Sequence, residues 1–312
     1  MKIHQIAGLI ALCASIATSQ AYAGVKIVLG YTGANAFIPA FVAKDQGFFE
    51  KHGLDVTMQL VPVGSTIAGA MAGGSLQVGT LTPSALLVAQ EGGIDLRIVA
   101  GASFQDKNHV TAGVVARNES EIKSAQDFIG KRVGVPGINA LQHIAFVKWL
   151  SDRGVDSKQI RFVEAFFPQM SDLLRAGQLD AALPVEPFLG RIISGGSGYL
   201  VASYTADISP RYVESFYTMT KEFIERNPTA AQSFKAAIGE AMLWMKENQA
   251  AARRTQVGYL KFPEELAMTI PLSTLGLEVT REDLQFWIDV SKEVGLIKGT
   301  VKPDKILDTN AG

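Results

Sequence analysis

From Val25 to Tyr31 the chain is apolar and β-branched at most positions, and the run stops at Thr32-Gly33. That is the pattern of a strand entering a turn. Phe37, Phe41, Lys44 and Phe48 then fall near one face at helical spacing, with Ile38 and Val42 beside them. Pro39 fits this helix only in its first turn, where its missing N–H costs nothing. Gly53 stops the helix, and Leu54-Asp55-Val56-Thr57-Met58 alternates as a strand does. Gly64-Ser65-Thr66 opens a helix of small residues, Leu76 to Leu81 reads as a short buried strand, and Thr82-Pro83-Ser84 starts another helix. Leu96 to Ala100 is a further strand, followed by a polar stretch from Ser103 to His109. Such alternation of strands and helices predicts a largely parallel sheet covered by helices.

The pattern is then repeated. Gly33-Ala34-Asn35-Ala36 returns as Gly137-Ile138-Asn139-Ala140, in the same strand-to-helix setting. The helix that ends at Gly74 has its counterpart in the helix that ends at Gly177, and Pro83 has its counterpart in Pro187. All three correspondences fall 103 or 104 residues apart. Two lobes of one α/β pattern follow, with function expected where they face each other. After Pro210 the sequence reads as long helices. Ala231, Phe234, Ile238, Ala241 and Met245 form one apolar stripe, and Thr280-Arg281-Glu282-Asp283 is a capping-box variant before Leu284, Trp287, Val290 and Val294. This tail lacks the repeated phrase and is expected to return over the first lobe. The domains expected are residues 24–109 with 211–312 as lobe 1, and 110–210 as lobe 2, hinged by ordered strands near Asn108–Thr111 and Ser203–Tyr217.

The N-terminus changes this picture only by subtraction. Lys2, the apolar run Ile6 to Ile16 and Ala21-Tyr22-Ala23 form an export signal, expected to be cut after Ala23. Cys13 lies inside it and is the chain's one cysteine, which removes disulfides and a cysteine nucleophile from consideration in the mature protein. A net charge of −1 argues against nucleic acid or an anionic membrane as partner.

In open α/β sheets ligands sit beyond the carboxyl ends of the strands. Here those loops are Thr32–Asn35, Gly64–Thr66, Thr82–Ser84, Pro136–Asn139, Phe167–Met170 and Val185–Glu186. They carry hydroxyls, amides, glycines and one carboxylate, and neither Lys nor Arg. Helix starts of this kind favour anionic groups without a formal cation, although Ser, Thr and Asn are also ordinary caps. Candidate ligand contacts are Thr32, Gly33, Asn35, Phe37, Ser65, Thr66, Thr82, Ser84, His109, Asn139, His143, Glu186 and Tyr217. No metal-ligand spacing, nucleophile elbow or P-loop is found, and no cofactor or catalytic group is assigned.

Two segments carry a family resemblance. Ile38 to Val56 (IPAFVAKDQGFFEKHGLDV) and Leu173 to Phe188 (LLRAGQLDAALPVEPF) resemble signatures of the nitrate/sulfonate/taurine group of periplasmic solute-binding proteins. The resemblance implies a two-lobed type II periplasmic-binding-protein fold, each lobe a mixed, mostly parallel sheet flanked by helices, with the ligand in the interlobe cleft. It further implies a non-enzymatic monomer that closes as a Venus flytrap and delivers its ligand to an ABC-transporter permease with its ATPase. The expected ligand is a small organic anion or zwitterion, sulfonate- or taurine-like or an aromatic carboxylate. A thiamine-precursor pyrimidine, or docking on a sensor, stands as the alternative. In this reading Thr32, Asn35, Ser65, Thr66, Thr82 and Asn139 hold the acidic head, Glu186 and His143 select the remainder, and Phe37 packs on the apolar part. Gln77 stands where the group often carries Asp, and the cysteine-rich motif of a fungal thiamine-pyrimidine synthase on the same fold is absent.

Overall fold

A computed structural model of the chain describes residues 24–107, 111–261, 263–299 and 301–307. The expected export segment and His109 lie outside them. Eleven strands, β1 (Val25–Tyr31), β2 (Leu54–Leu60), β3 (Val78–Leu81), β4 (Leu96–Asp106), β5 (Val114–Ala116), β6 (Arg132–Val135), β7 (Arg161–Glu164), β8 (Ala181–Ala182), β9 (Tyr199–Ala202), β10 (Arg211–Thr220) and β11 (Thr274–Leu275), form two mixed sheets. The first has the order β11-β4-β10-β3-β1-β2 and the second β7-β6-β8-β5-β9. Parallel pairs lie around β1 and β6, where helices cross over. The antiparallel pairs involve β4, β10 and β11 in the first sheet and β5 in the second.

The duplication extends to individual hydrogen bonds. Gly74 and Gly177 both adopt the left-handed conformation that ends a helix. Next, Ser75 and Leu76 return their N–H groups to the Ala70 carbonyl, as Gln178 and Leu179 return theirs to Leu173. A Cβ on Gly30 would stand 2.5 Å from Leu76, and one on Gly134 would stand 2.5 Å from Leu179. The Gln77 side chain accepts the N–H of Val28 at 2.9 Å, and Asp180 accepts that of Arg132 at the same distance. Gln77 therefore does the structural work of an Asp at this position without its charge.

Two expectations are corrected. The strand expected over Leu96–Ala100 continues to Asp106, because Ser103 and Gln105 are fully buried rather than looped into water. Ser103 reaches Ser215 on β10 at 2.7 Å. The ordered strand expected at the crossing near Ser203–Tyr217 is β10, which runs from Arg211 on to Thr220, where a helical tail was expected, and is inserted between β4 and β3. It is covered on both faces, so its sequence shows no strand alternation.

The C-terminal helices behave as their patterns predict. Helix Ala230–Glu247 packs against helix Ile38–Asp45 and stacks Phe234 on Phe49. Thr280 and Asp283 form the capping box of helix Arg281–Glu293, whose Trp287 donates to the Val213 carbonyl at 2.8 Å. That helix also packs on helices Pro83–Glu91 and Leu141–Ser151, which in turn pack on each other. The helix leaving β3 and the helix leaving β6 thus meet, and their apolar residues belong to one core. Among the described residues no helix is long and apolar enough to cross a membrane.

Candidate functional site

The loops at the carboxyl ends of β1, β2 and β3 place Thr32, Gly33 and Thr82 at partly exposed positions, and Ser65 and Thr66 in the open. The Thr66 hydroxyl donates to the Val63 carbonyl at 2.8 Å, which fixes the turn and leaves its lone pairs outward. Helix Pro83–Glu91 starts at Thr82 with Pro in its first turn. Its first N–H groups have no partner within the helix and point at the strand ends.

Several expected contacts are placed elsewhere by packing. Asn35 does not cap the following helix. Its amide donates to the Pro271 carbonyl at 3.0 Å and its oxygen accepts from Ser273, so it ties the C-terminal segment to the first sheet. Phe37 and Tyr217 meet edge to face at 6.1 Å inside the core and are buried there. Ser84 is also fully buried and turns toward Thr82, 3.3 Å away.

The second copy of the repeated phrase does not present its N–H groups to a ligand. Ile138 donates to Glu164 at 2.9 Å, Asn139 to His143 Nδ1 at 3.0 Å, and Ala140 to the Gly137 carbonyl at 3.1 Å. Asn139 holds φ +66°, a conformation that Asn tolerates. Its N–H fixes the His143 tautomer, with the proton on Nε2, which is buried and finds no acceptor. Burial pushes the imidazole down to about 4. The ring lies edge to face with Phe162 and lines a hollow of 280 Å³ shared with Ile144, Val147, Ile160 and Val294, on the flank of its helix.

Glu186 is drawn back onto its own helix. Its carboxylate accepts the Gly190 N–H at 3.1 Å, and its own N–H donates to the Thr111 carbonyl at 2.8 Å. Burial raises its pKa, opposed by the Gly190 hydrogen bond. The sequence reading offered it as the partner of a ligand amine; the geometry makes it a helix cap.

Another acid takes the central place. Phe216 of β10 pairs with Leu81, the last residue of β3, and the strands are antiparallel. Glu214 therefore lies past the carboxyl end of β3, level with Pro83 and on the segment that returns from the second sheet. It sits at a β-bulge between Val213 and Ser215, keeps partial solvent exposure, and faces Ser103, Tyr204 and Tyr212. Burial pushes its carboxyl up to about 7, and a hydrogen bond from Ser103 opposes the shift. Both tyrosines are buried; among the described residues the Tyr204 hydroxyl finds no hydrogen-bond partner and the Tyr212 hydroxyl has only Thr205 beside it, and burial together with Glu214 pushes both hydroxyls up. Thr205 beside them bonds Gln105 and the Ala112 carbonyl, which joins this cluster to the segment leading into β5 of the second sheet. Glu214 lies in the expected crossing strand but was not among the candidate contacts, because its position depends on pairing with β3 and β4. The available signal was one acid inside the aromatic run Tyr212-Val213-Glu214-Ser215-Phe216-Tyr217.

Residues 34–252 match the family model described as NMT1/THI5 like. The chain is 24% identical over 242 residues to the nitrate/nitrite binding protein NrtA of Nostoc sp., covering 70% of this chain and 53% of that protein. It is 26% identical over 202 residues to the taurine-binding periplasmic protein of Escherichia coli, covering 64% and 61%. The chain thus spans a little over half the length of these curated relatives. Its fold matches the alkanesulfonate-binding protein SsuA of Xanthomonas axonopodis bound to MOPS, with TM-score 0.77, 17% identity, and 91% and 98% of the two chains covered.

Proposed function

Since the chain belongs to the NMT1/THI5-like family, we propose that it is an exported solute-binding protein of an ABC importer. It captures a small organic anion or zwitterion between its two sheets and hands it to a permease. The lobes are residues 24–109 with 211–312, and residues 110–210. The protein works in the periplasm after removal of residues 1–23, and returns its ligand chemically unchanged.

The observation that carries this reading is the grouping of Thr32, Gly33, Ser65 and Thr82 at three neighbouring strand ends, beside the N-terminus of helix Pro83–Glu91, with Thr66 holding the turn that presents Ser65. Free hydroxyls and helix N–H groups donate hydrogen bonds to a sulfonate or carboxylate, without a Lys or Arg to hold it too firmly for release. The names of its relatives, which bind nitrate or nitrite, taurine and alkanesulfonates, support an acidic head on the ligand.

A thermal-shift screen of sulfonates, carboxylates and pyrimidines tests it. A ligand at a hundredfold its Kd adds about 2.7 kcal/mol, which raises the melting temperature by about 5 °C for a chain of this size. At least one compound is expected to do so and to be recovered unaltered. A screen in which none shifts the transition, or one in which the bound compound is converted, overturns the reading.

A further inference from the structure

Resting on the cleft reading above, we propose that Glu214, with the hydroxyls of Tyr204 and Tyr212, is a subsite for a positively charged nitrogen of the ligand. The cleft then takes zwitterions, amino-sulfonates or amino-carboxylates, in preference to simple anions.

Position comes first. Glu214 lies past the end of β3, level with Pro83 at the start of the helix that follows the Thr82 loop, so a ligand whose acidic head rests on that loop has this carboxylate beside it on the neighbouring strand. The β-bulge between Val213 and Ser215 takes Glu214 out of the regular pairing with β4.

Charge comes second. The neighbouring cation in sequence, Arg211, is held by Asp283 at 2.9 Å and stacked over Phe104, so it is engaged elsewhere. Among the described residues the groups that face Glu214 are neutral hydroxyls from three elements: Ser103 on β4, Tyr204 on helix Tyr204–Ile208 and Tyr212 on its own strand. A second anion beside this acid is repelled in a medium that screens poorly, whereas an ammonium is attracted.

The third observation is hydrogen-bonding capacity. Tyr204 and Tyr212 are 0% and 1% exposed; among the described residues the Tyr204 hydroxyl has no partner, and the Tyr212 hydroxyl has only Thr205 beside it, whose own proton goes to Gln105 and the Ala112 carbonyl. Buried hydroxyls without partners are unusual in a native core. An ammonium has three donors, which one carboxylate and two phenol oxygens can accept together. A nitrate or bicarbonate ion has no group to place there.

Calorimetry with matched pairs tests the subsite: taurine against ethanesulfonate, and β-alanine against propionate, with the full chain at pH 8. The amino member of at least one pair is expected to bind tenfold or more tightly than its deaminated twin. Glu214→Gln brings the two within about twofold, and Tyr212→Phe narrows the gap. Deaminated twins that bind equally well to the wild type overturn the subsite and leave the binding function standing, as does a gap that survives Glu214→Gln. If no probe of either kind binds while another compound class stabilises the protein, the zwitterion class is wrong. If the broader screen also fails, it is the cleft reading that falls. Folding of each variant is checked by its melting transition.

Discussion

Replacing Glu214 by Gln should make the free protein more stable, and only where the native carboxylate is forced to ionise. Burial moves this group from its ordinary value of 4.5 to about 7. Between those two values the unfolded chain has released the proton and the folded chain still holds it. The folded state therefore binds more protons there, and stability falls as pH rises from 4.5 to 7. Each pKa unit is worth about 1.4 kcal/mol, so the loss approaches roughly 3 kcal/mol and is constant above pH 7. Gln keeps the shape without the titration. Tyr204 and Tyr212 stay neutral throughout, and His143 titrates in both proteins, so its effect cancels in the difference. Scanning calorimetry at half-unit steps from pH 4 to 9 measures that difference. The two proteins should differ least near pH 4.5 and separate progressively to pH 7. Above it the variant should melt about 6 °C higher, at about 2 °C per kcal/mol for a chain of this length. A difference independent of pH would refute the burial argument, and with it the claim that Glu214 awaits a cationic partner.

Three further outcomes follow from the same structure. His143, held neutral with its pKa near 4 against an ordinary 6.5, contributes stability that is complete above pH 6.5 and lost as pH falls toward 4; His143→Leu should flatten this limb of the acid melting profile. Asn35→Ala leaves the Pro271 carbonyl without its donor and should cost about 1–3 kcal/mol, with faster hydrogen exchange over residues 271–277. Ser65→Ala with Thr66→Ala, both exposed, should change stability by less than about 0.5 kcal/mol. The pair should nevertheless weaken ligand binding several-fold in a calorimetric titration.

The sequence carried the repeat clearly, because Gly74 and Gly177 end equivalent helices and a left-handed position leaves few choices other than Gly. It carried the capping box at Thr280 for a similar reason: the signal is local. That an ordered strand crosses near Tyr217 was legible; its length and its place between β4 and β3 were not, since burial on both faces erases the alternation that marks a half-exposed strand. Nor was Glu214, whose role depends on register against β3 and on the hydroxyl of Ser103, far away in sequence. The second Gly-x-Asn turn misled in the opposite direction. Its resemblance to the first is real, but His143 and Glu164 take the N–H groups that the pattern seemed to offer. Local similarity shows where a turn forms; which partner satisfies it is settled by side chains one helical turn or one strand away.

The central claim, that a small ligand is bound between the two sheets and draws them together, can be read as one distance. Leu60 at the end of β2 and Phe166 just after β7 are exposed and lie by the outermost strands of their sheets, far from the crossing strands β4 and β10. Cysteines placed there would be the only ones left once the segment holding Cys13 is removed. With spin labels at both positions, saturation with the best compound from the screen should shorten the interlabel distance and narrow its distribution. An unchanged distribution, at concentrations where calorimetry shows the site filled, would contradict the account.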